Sequence, residues 1–163
     1  MSLLEWCQWV QQTPLATSIT ESIWLFPVVE GSHILALPLS VGMIILFDLR
    51  LLGIAFREGA AAKLFPELLR WSKLGFAIMF LTGSILFLTQ AGKAYGNGFF
   101  RTKLILLLLL GLNAAFYQIR FFPQMPKWEA TGTTPLGAKF CAGFSLIVWI
   151  AVIVCGRTMA YEF

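Results

Sequence analysis

The chain has 163 residues, of which 58% are hydrophobic and only 12% are charged, and its formal net charge is +4. A soluble domain has roughly 25% charged residues, and one of this length cannot bury so much apolar surface, so the composition excludes an ordinary soluble protein. The basic residues flank apolar runs and form no patch, which argues against nucleic-acid binding and for the lipid bilayer as a partner.

The first 21 residues form an N-terminal segment that is too short to cross a membrane. Residues 3–12 carry two tryptophans and several aliphatic side chains, which is typical of an interfacial helix with aromatic anchors. Thr13-Pro14 predicts the end of this helix, and a short turn-rich piece follows up to Glu21. Because Glu5 lies in this segment and no basic stretch opens it, we expect no cleavable signal peptide.

Four apolar segments follow, so we predict that residues 22–163 form one domain with four transmembrane helices. The predicted spans cover about residues 22–50, 73–90, 101–119 and 136–157. Polar or turn-forming connections separate them, at residues 56–72, 92–98 and 120–135. Pro38 lies inside the first span and predicts a kink there. The predicted fold class is an all-α membrane protein, a four-helix transmembrane bundle with a short N-terminal interfacial helix.

The basic residues also predict how the bundle is oriented. Eight of them lie in or beside the connections between the first and second spans and between the third and fourth, and four lie on the other side. Connections with more basic residues stay in the cytoplasm. The sequence therefore predicts a multi-pass membrane protein with both termini on the outer, non-cytoplasmic side.

The leading candidates for a functional site are Glu30 and His33, which is the only histidine in the chain. Their spacing places them about one turn apart on one face of a helix. Ionisable residues inside a membrane span are costly and usually have a function. In the predicted topology Lys103, at the start of the third span, and Arg157, at the end of the fourth, lie at the same end of the bundle.

A single histidine cannot supply the three or four ligands of a metal site built from protein alone. Heme b is different, because one axial histidine can hold its iron while basic side chains pair with its propionates. We therefore predict a heme b-binding redox protein with His33 as the iron ligand and Glu30 as its hydrogen-bond or proton partner. Lys103 and Arg157 would face the propionates or an anionic substrate. The second axial position could be empty, held by a group other than histidine, or filled by His33 of a second copy.

The same residues allow other functions. His33 could be a neutral side chain that packs helices together, while Glu30 forms an ion pair with Arg157 or Lys103. The protein would then be a structural or accessory subunit of a membrane complex. A small transporter, with a cavity lined by these polar groups, is a third alternative. The sequence does not decide whether the protein is an enzyme.

Other residues have simpler interpretations. We interpret Asp48 as the cap at the end of the first span and Arg50 as an anchor at the cytoplasmic surface. The three cysteines lack the spacing of a metal site, so we expect buried, inert thiols. Glycine and serine on the predicted spans favour close helix contacts, and we expect a homo-oligomer or a subunit of a membrane complex.

Several motifs, within a stretch from Trp6 to Arg157, carry a resemblance to known proteins. They are Phe26-Pro27-x-x-Glu30-x-x-His33, Asp48-Leu-Arg-Leu-Leu-Gly53, Gly75-Phe76 with Thr82-Gly83, Lys103 through Gly111-Leu-Asn113, and Ser145-Leu-x-x-Trp149 with Gly156-Arg157. In these motifs the chain resembles an uncharacterised family of bacterial four-span membrane proteins, a domain of unknown function. It is more distantly similar to the heme-binding membrane protoporphyrinogen oxidases and to the copper-resistance D-type membrane proteins. That similarity implies His33 as the heme or metal ligand and Lys103 as its basic partner, while Gln118 stands where relatives often have a histidine.

Overall fold

The structure, a computed structural model, describes residues 2–55 and 61–161, and the regular structure within these ranges is entirely helical. The described residues form eight α-helices: α1 (Leu3–Gln11), α2 (Pro14–Glu21), α3 (Leu25–Leu37), α4 (Met43–Leu51), α5 (Ala61–Gly96), α6 (Gly98–Arg120), α7 (Met125–Ala130) and α8 (Leu136–Tyr161). A π-helical turn, Pro38–Gly42, joins α3 to α4, and a 3-10 turn, Phe122–Gln124, leads into α7.

Four helical stretches in the described part of the chain are long and apolar enough to cross a membrane: Leu25–Leu51, Phe65–Gly96, Gly98–Trp128 and Leu136–Met159. The mean hydropathy of their most apolar windows lies between 1.8 and 2.2, and at most 39% of any such window is buried inside the protein. Most of this apolar surface therefore faces outward, as a lipid environment requires. The predicted fold class, with four spans and a short N-terminal helix, is confirmed, and it indicates a multi-pass membrane protein.

The N-terminal helix forms where the sequence predicts it. Ser2 and Glu5 cap α1 reciprocally, because each side chain accepts a hydrogen bond from the other residue's backbone N–H, at 3.2 and 2.7 Å. Thr13 caps α2, and Pro14 occupies its first position, where the missing N–H is not needed. The stretch expected to be turn-rich is thus a helix. Both helices pack on α5.

Pro38 interrupts the first span as predicted, and the interruption takes the form of the π-helical turn. Proline removes one backbone hydrogen bond and displaces the preceding carbonyl, so the helix widens locally. The Ser40 hydroxyl donates to the Ala36 carbonyl at 2.8 Å and so satisfies a group of this turn. At Gly75 of α5 a Cβ would stand 2.5 Å from the Ser40 backbone nitrogen. Only glycine allows α5 to approach this turn so closely.

The polar connection predicted over residues 56–72 is already helical in the part that the structure describes, because α5 begins at Ala61 and the candidate span begins at Phe65. Residues 56–60 lie outside the described residues. Phe65 is buried and its ring lies 4.4 Å from that of Phe47, centroid to centroid. Glu67 and Arg70 are exposed. This segment is therefore an amphipathic helix with one apolar face towards the bundle. Its average polarity does not reveal that face.

The predicted turn over residues 92–98 is also shorter than expected, since α5 continues to Gly96. Gln90 alone has non-helical backbone angles, φ −134° and ψ 24°, so the helix bends there. The Gly92 N–H, just beyond this bend, donates instead to the side-chain oxygen of Gln11 at 3.0 Å. The bend thus provides the point at which α1 is attached.

The four spans are arranged as two pairs, since α3 packs most closely on α5 and α6 on α8. Helix α4 joins the pairs because it contacts both α5 and α8. One buried cluster surrounds the C-terminal end of α4. It consists of Phe47, Leu51, Phe65, Tyr117, Met125, Ala138, Cys141 and Ala142. A second, which we call the middle cluster, consists of Val41, Leu110, Val148, Trp149 and Val152. Beyond the middle cluster, towards the N-terminal helices, lie the segments that carry His33 and Lys103.

Candidate cofactor site

His33 of α3 is half-buried and faces α5, where its Nδ1 lies 2.9 Å from the hydroxyl oxygen of Thr82. The Thr82 hydroxyl oxygen also lies 2.7 Å from the carbonyl oxygen of Ile78 in its own helix. When the single hydroxyl proton is donated to that carbonyl, the Thr82 oxygen accepts from His33, and Nδ1 of His33 carries the proton. In the neutral ring the lone pair then lies on Nε2.

Two further groups of α5 fix the position of the His33 ring. The backbone carbonyl of Met79 lies within hydrogen-bonding reach of the ring. Gly83 also approaches the ring closely, since an added Cβ would be 3.1 Å from the ring carbon Cε1. Together with Thr82 these groups restrict the ring's orientation, because hydrogen-bond partners and a close backbone contact act on it at once.

Lys103 of α6 belongs to the same end of the bundle. It is half-buried and close enough to His33 for its ammonium group to act on the imidazole electrostatically. Its Nζ lies 3.5 Å from the position that a Cβ on Gly156 of α8 would take, and it also interacts with Cys155. The structure therefore brings together groups from α3, α5, α6 and α8, as the predicted topology requires.

Glu30 and Arg157 are both exposed and do not form an ion pair with each other, although both lie in the described part of the chain. Arg157 lies over the ring of Tyr161 instead, 5.1 Å from its centroid. Glu30 is on α3 one turn from His33, but the interactions found for His33 are with Thr82, Met79 and Lys103. The expected partnership of Glu30 with His33, and the alternative ion pair of Glu30 with Arg157 or Lys103, are not among the contacts of these described residues.

The donor set determines what this site could hold. Among the described residues no group of three or more histidine, cysteine or acidic side chains is placed to bind a metal ion. What is present is one imidazole with one ammonium group near it. A group held here would therefore have to bring most of its own metal ligands, and an anionic substituent would suit the ammonium group.

Three residues of the bundle have contacts that the sequence did not reveal. Thr82 and Gly83 appear in the sequence only as small residues of a span, yet they position His33. Asp48 was interpreted as a cap, yet it is only 5% exposed and faces Ser145 of α8 within hydrogen-bonding reach. The sequence did contain one signal for this burial, since Asp48 lies between Phe47 and Leu49, inside the end of an apolar run. A side chain at such a position can face either the bundle or its surroundings.

The fold and this site define a class: a multi-pass helical membrane protein with one histidine held near a lysine inside the bundle. The chain belongs to a family of unknown function, DUF6644, whose family model matches residues 23–162. Membership of a family of unknown function, expected from the motifs, is thereby confirmed. No curated protein and no solved structure matches the chain. The more distant similarity to heme-binding and copper-resistance membrane proteins stays a prediction.

Proposed function

We propose that this protein binds heme b through Nε2 of His33 and has a redox or electron-transfer role in the bacterial inner membrane. The observation that carries the proposal is the hydrogen bond between His33 Nδ1 and Thr82, beside the Ile78 carbonyl that can take the hydroxyl proton. Histidines that bind metals usually donate their other ring N–H to a fixed acceptor, which selects the tautomer and orients the ring. Thr82, with the Met79 carbonyl nearby, would do this for His33.

Lys103 supports the same proposal. Its ammonium group is half-buried in a membrane span, and no carboxylate within the described residues forms an ion pair with it. A cation placed in this way favours an anionic partner, because an unpaired charge away from water is costly. A heme propionate would supply the negative charge. In this arrangement Lys103 orients the group relative to His33, while Glu30 and Arg157 lie further out at the same end.

Bound heme would supply one-electron chemistry, whereas the protein would supply the ligand nitrogen, the charge partner and the apolar surroundings. The chain offers one histidine, so a second axial ligand would come from outside this site, for example from His33 of a second copy. We therefore propose a homo-oligomer or a subunit of a membrane complex, with both termini in the periplasm as the distribution of basic residues predicts.

An absorption spectrum tests the proposal. The protein is expressed with heme supplied, purified in detergent, and measured oxidised and then reduced. We expect a Soret band and reduced α and β bands in the wild type, lost in His33→Ala. Ser32→Ala is the matched control, since Ser32 is the neighbouring residue and its hydroxyl donates only to the Val28 carbonyl within α3.

A featureless spectrum from folded wild-type protein would contradict the proposal. So would bands that persist unchanged in His33→Ala. An accessory subunit of a membrane complex or a small transporter would then be the alternatives, and flux measurements in vesicles would distinguish them.

A further inference from the structure

Asp48 lies in the first span at the opposite end of the bundle from His33, and it takes no part in the proposed heme site. It is only 5% exposed, and its carboxyl oxygen Oδ2 is buried without a hydrogen-bond partner. The Ser145 side chain of α8 lies within hydrogen-bonding reach of the carboxyl. No basic group in the described part of the chain forms an ion pair with it. A buried carboxyl with one polar neighbour and one unmatched oxygen is rare in a membrane span and usually functional.

The groups around Asp48 leave its charge uncompensated. From α8, Cys141 and Ser145 face it. From α6, the buried Tyr117 packs against the ring of the adjacent Phe47, 5.7 Å between centroids. The described charged residues at this end of α5 are exposed: Glu67, Arg70 and Lys73. Arg50, on α4 itself, is half-buried and has interactions of its own.

The position of Asp48 allows it to exchange a proton with one side of the membrane. It precedes Leu51, the last residue of α4 and of the first candidate span, by three residues, which is about 4.5 Å along the helix axis. In the other direction the middle cluster of apolar side chains separates it from His33. A carboxylate that is buried without a cation and lies close to one surface is neutralised most simply by taking up a proton.

We propose that Asp48 is a proton-binding site of this protein, with Ser145 as its hydrogen-bond partner, independent of the proposed heme site. In the protonated form the carboxyl is neutral, which removes the cost of a buried charge. It releases the proton only when the surroundings change, for example when water or a cation reaches Oδ2. Asp48 is therefore a position where the protein can take up a proton from one membrane surface and give it back.

Infrared spectroscopy of the full-length protein in lipid bilayers tests this proposal. We expect the C=O stretching band of a neutral carboxylic acid at neutral pH in the wild type and its loss in Asp48→Asn. Glu30→Gln is the matched control, because Glu30 is an exposed carboxyl in the same span and its replacement should leave the band in place. A spectrum of Asp48→Asn that is identical to that of the wild type overturns the proposal.

Ser145→Ala keeps the test valid if Asp48→Asn does not fold. It retains the carboxyl and removes the hydrogen-bond partner, so we expect the same band at a higher frequency. A band that does not move overturns the assignment to the Asp48–Ser145 pair.

Labelling with dicyclohexylcarbodiimide, which enters membranes and reacts with protonated carboxyls, gives an independent result. The carboxyl O–H adds across one C=N bond, and the product rearranges to an N-acylurea, so the protein gains the whole mass of the reagent. We expect the label on Asp48, increasing as the pH falls and absent from Asp48→Asn. Label on Glu30 but not on Asp48 at every pH overturns the proposal.

Discussion

The hydroxyl of Thr82 lies between His33 and the Ile78 carbonyl, 2.9 Å from Nδ1 of the ring and 2.7 Å from the carbonyl oxygen. When it donates its proton to the carbonyl, it accepts the Nδ1–H of His33 and leaves the lone pair on Nε2. Both residues lie in spans, on different helices, and this bond is the point where α3 and α5 hold the imidazole in one orientation. The functional proposal depends on it, because a ligand can reach only the nitrogen that has a lone pair.

Replacing Thr82 by valine should weaken heme binding by about 10- to 100-fold, the usual effect of removing the acceptor behind a metal-binding histidine. Valine has nearly the same shape, so folding should be little affected. Heme titrations followed by absorbance measure the effect. Thr89→Val is the control, because Thr89 is on the same helix and its hydroxyl donates only to the Leu86 carbonyl. Equal affinities of the two variants would contradict the role of Thr82.

Replacing Gly83 by alanine should change the spectrum of bound heme without unfolding the protein. The new Cβ would lie 3.1 Å from Cε1 of His33, so the ring has to move by a few tenths of an ångström. Low-temperature absorption spectra of the reduced protein detect such a change. Gly111→Ala is the control, since nothing lies within 4 Å of the position of that Cβ. Identical spectra of Gly83→Ala and the wild type would argue against a ligand at His33.

Replacing Lys103 by glutamine should also weaken heme binding. A hydrogen bond to a charged group contributes about 1.5–3 kcal/mol, which corresponds to about 10- to 100-fold in affinity. Esterification of the propionates should weaken binding to the wild type but not further to Lys103→Gln. Arg101→Gln is the control, because Arg101 is exposed, lies over the Tyr95 ring at 5.0 Å and donates to the Tyr95 carbonyl. Additive losses in Lys103→Gln with esterified heme would show that Lys103 does not bind a propionate.

Replacing Gly75 by alanine should destabilise the protein without a direct effect on the site. The Cβ would stand 2.5 Å from the Ser40 nitrogen and 2.8 Å from backbone carbon atoms, and backbone atoms cannot move aside as a side chain does. Overpacking of this kind costs about 1–3 kcal/mol. Thermal unfolding in detergent measures the loss. Gly143→Ala, with open space around it, should have no such effect, and equal melting temperatures would contradict this close approach of α5 to the π-helical turn.

The spans, the N-terminal helix and the break at Pro38 could be predicted because each depends on local properties of the sequence. Apolar length predicts a span, and a proline inside a helix predicts an interruption. The start of α5 could not be predicted from average polarity, because Phe65 and Ser72 face the bundle while Glu67 and Arg70 face outward. The bend at Gln90 was missed for a similar reason, since its compensating partner, Gln11, is distant in the sequence.

The site was predicted in part. The pairing of His33 with Lys103 followed from topology, because both lie near the same ends of their spans. The spacing of Glu30 and His33 predicted that they share a helix face, yet Glu30 is exposed. Residues three apart differ by about 60° around the helix axis, so one can face a neighbouring helix while the other faces outward. The roles of Thr82 and Asp48 depend on which helices become neighbours, and local patterns in the sequence do not indicate that.

One measurement tests the central claim most directly, and the single histidine makes it simple. Protein labelled with ¹⁵N-histidine, purified without a histidine tag and placed in lipid bilayers, gives nitrogen signals from His33 alone. The account predicts a protonated Nδ1 and an unprotonated Nε2 without heme, and a shift of the Nε2 signal when heme is added. A protonated Nε2 and an unprotonated Nδ1 would contradict it, because the only nitrogen with a lone pair would then be the one that faces Thr82.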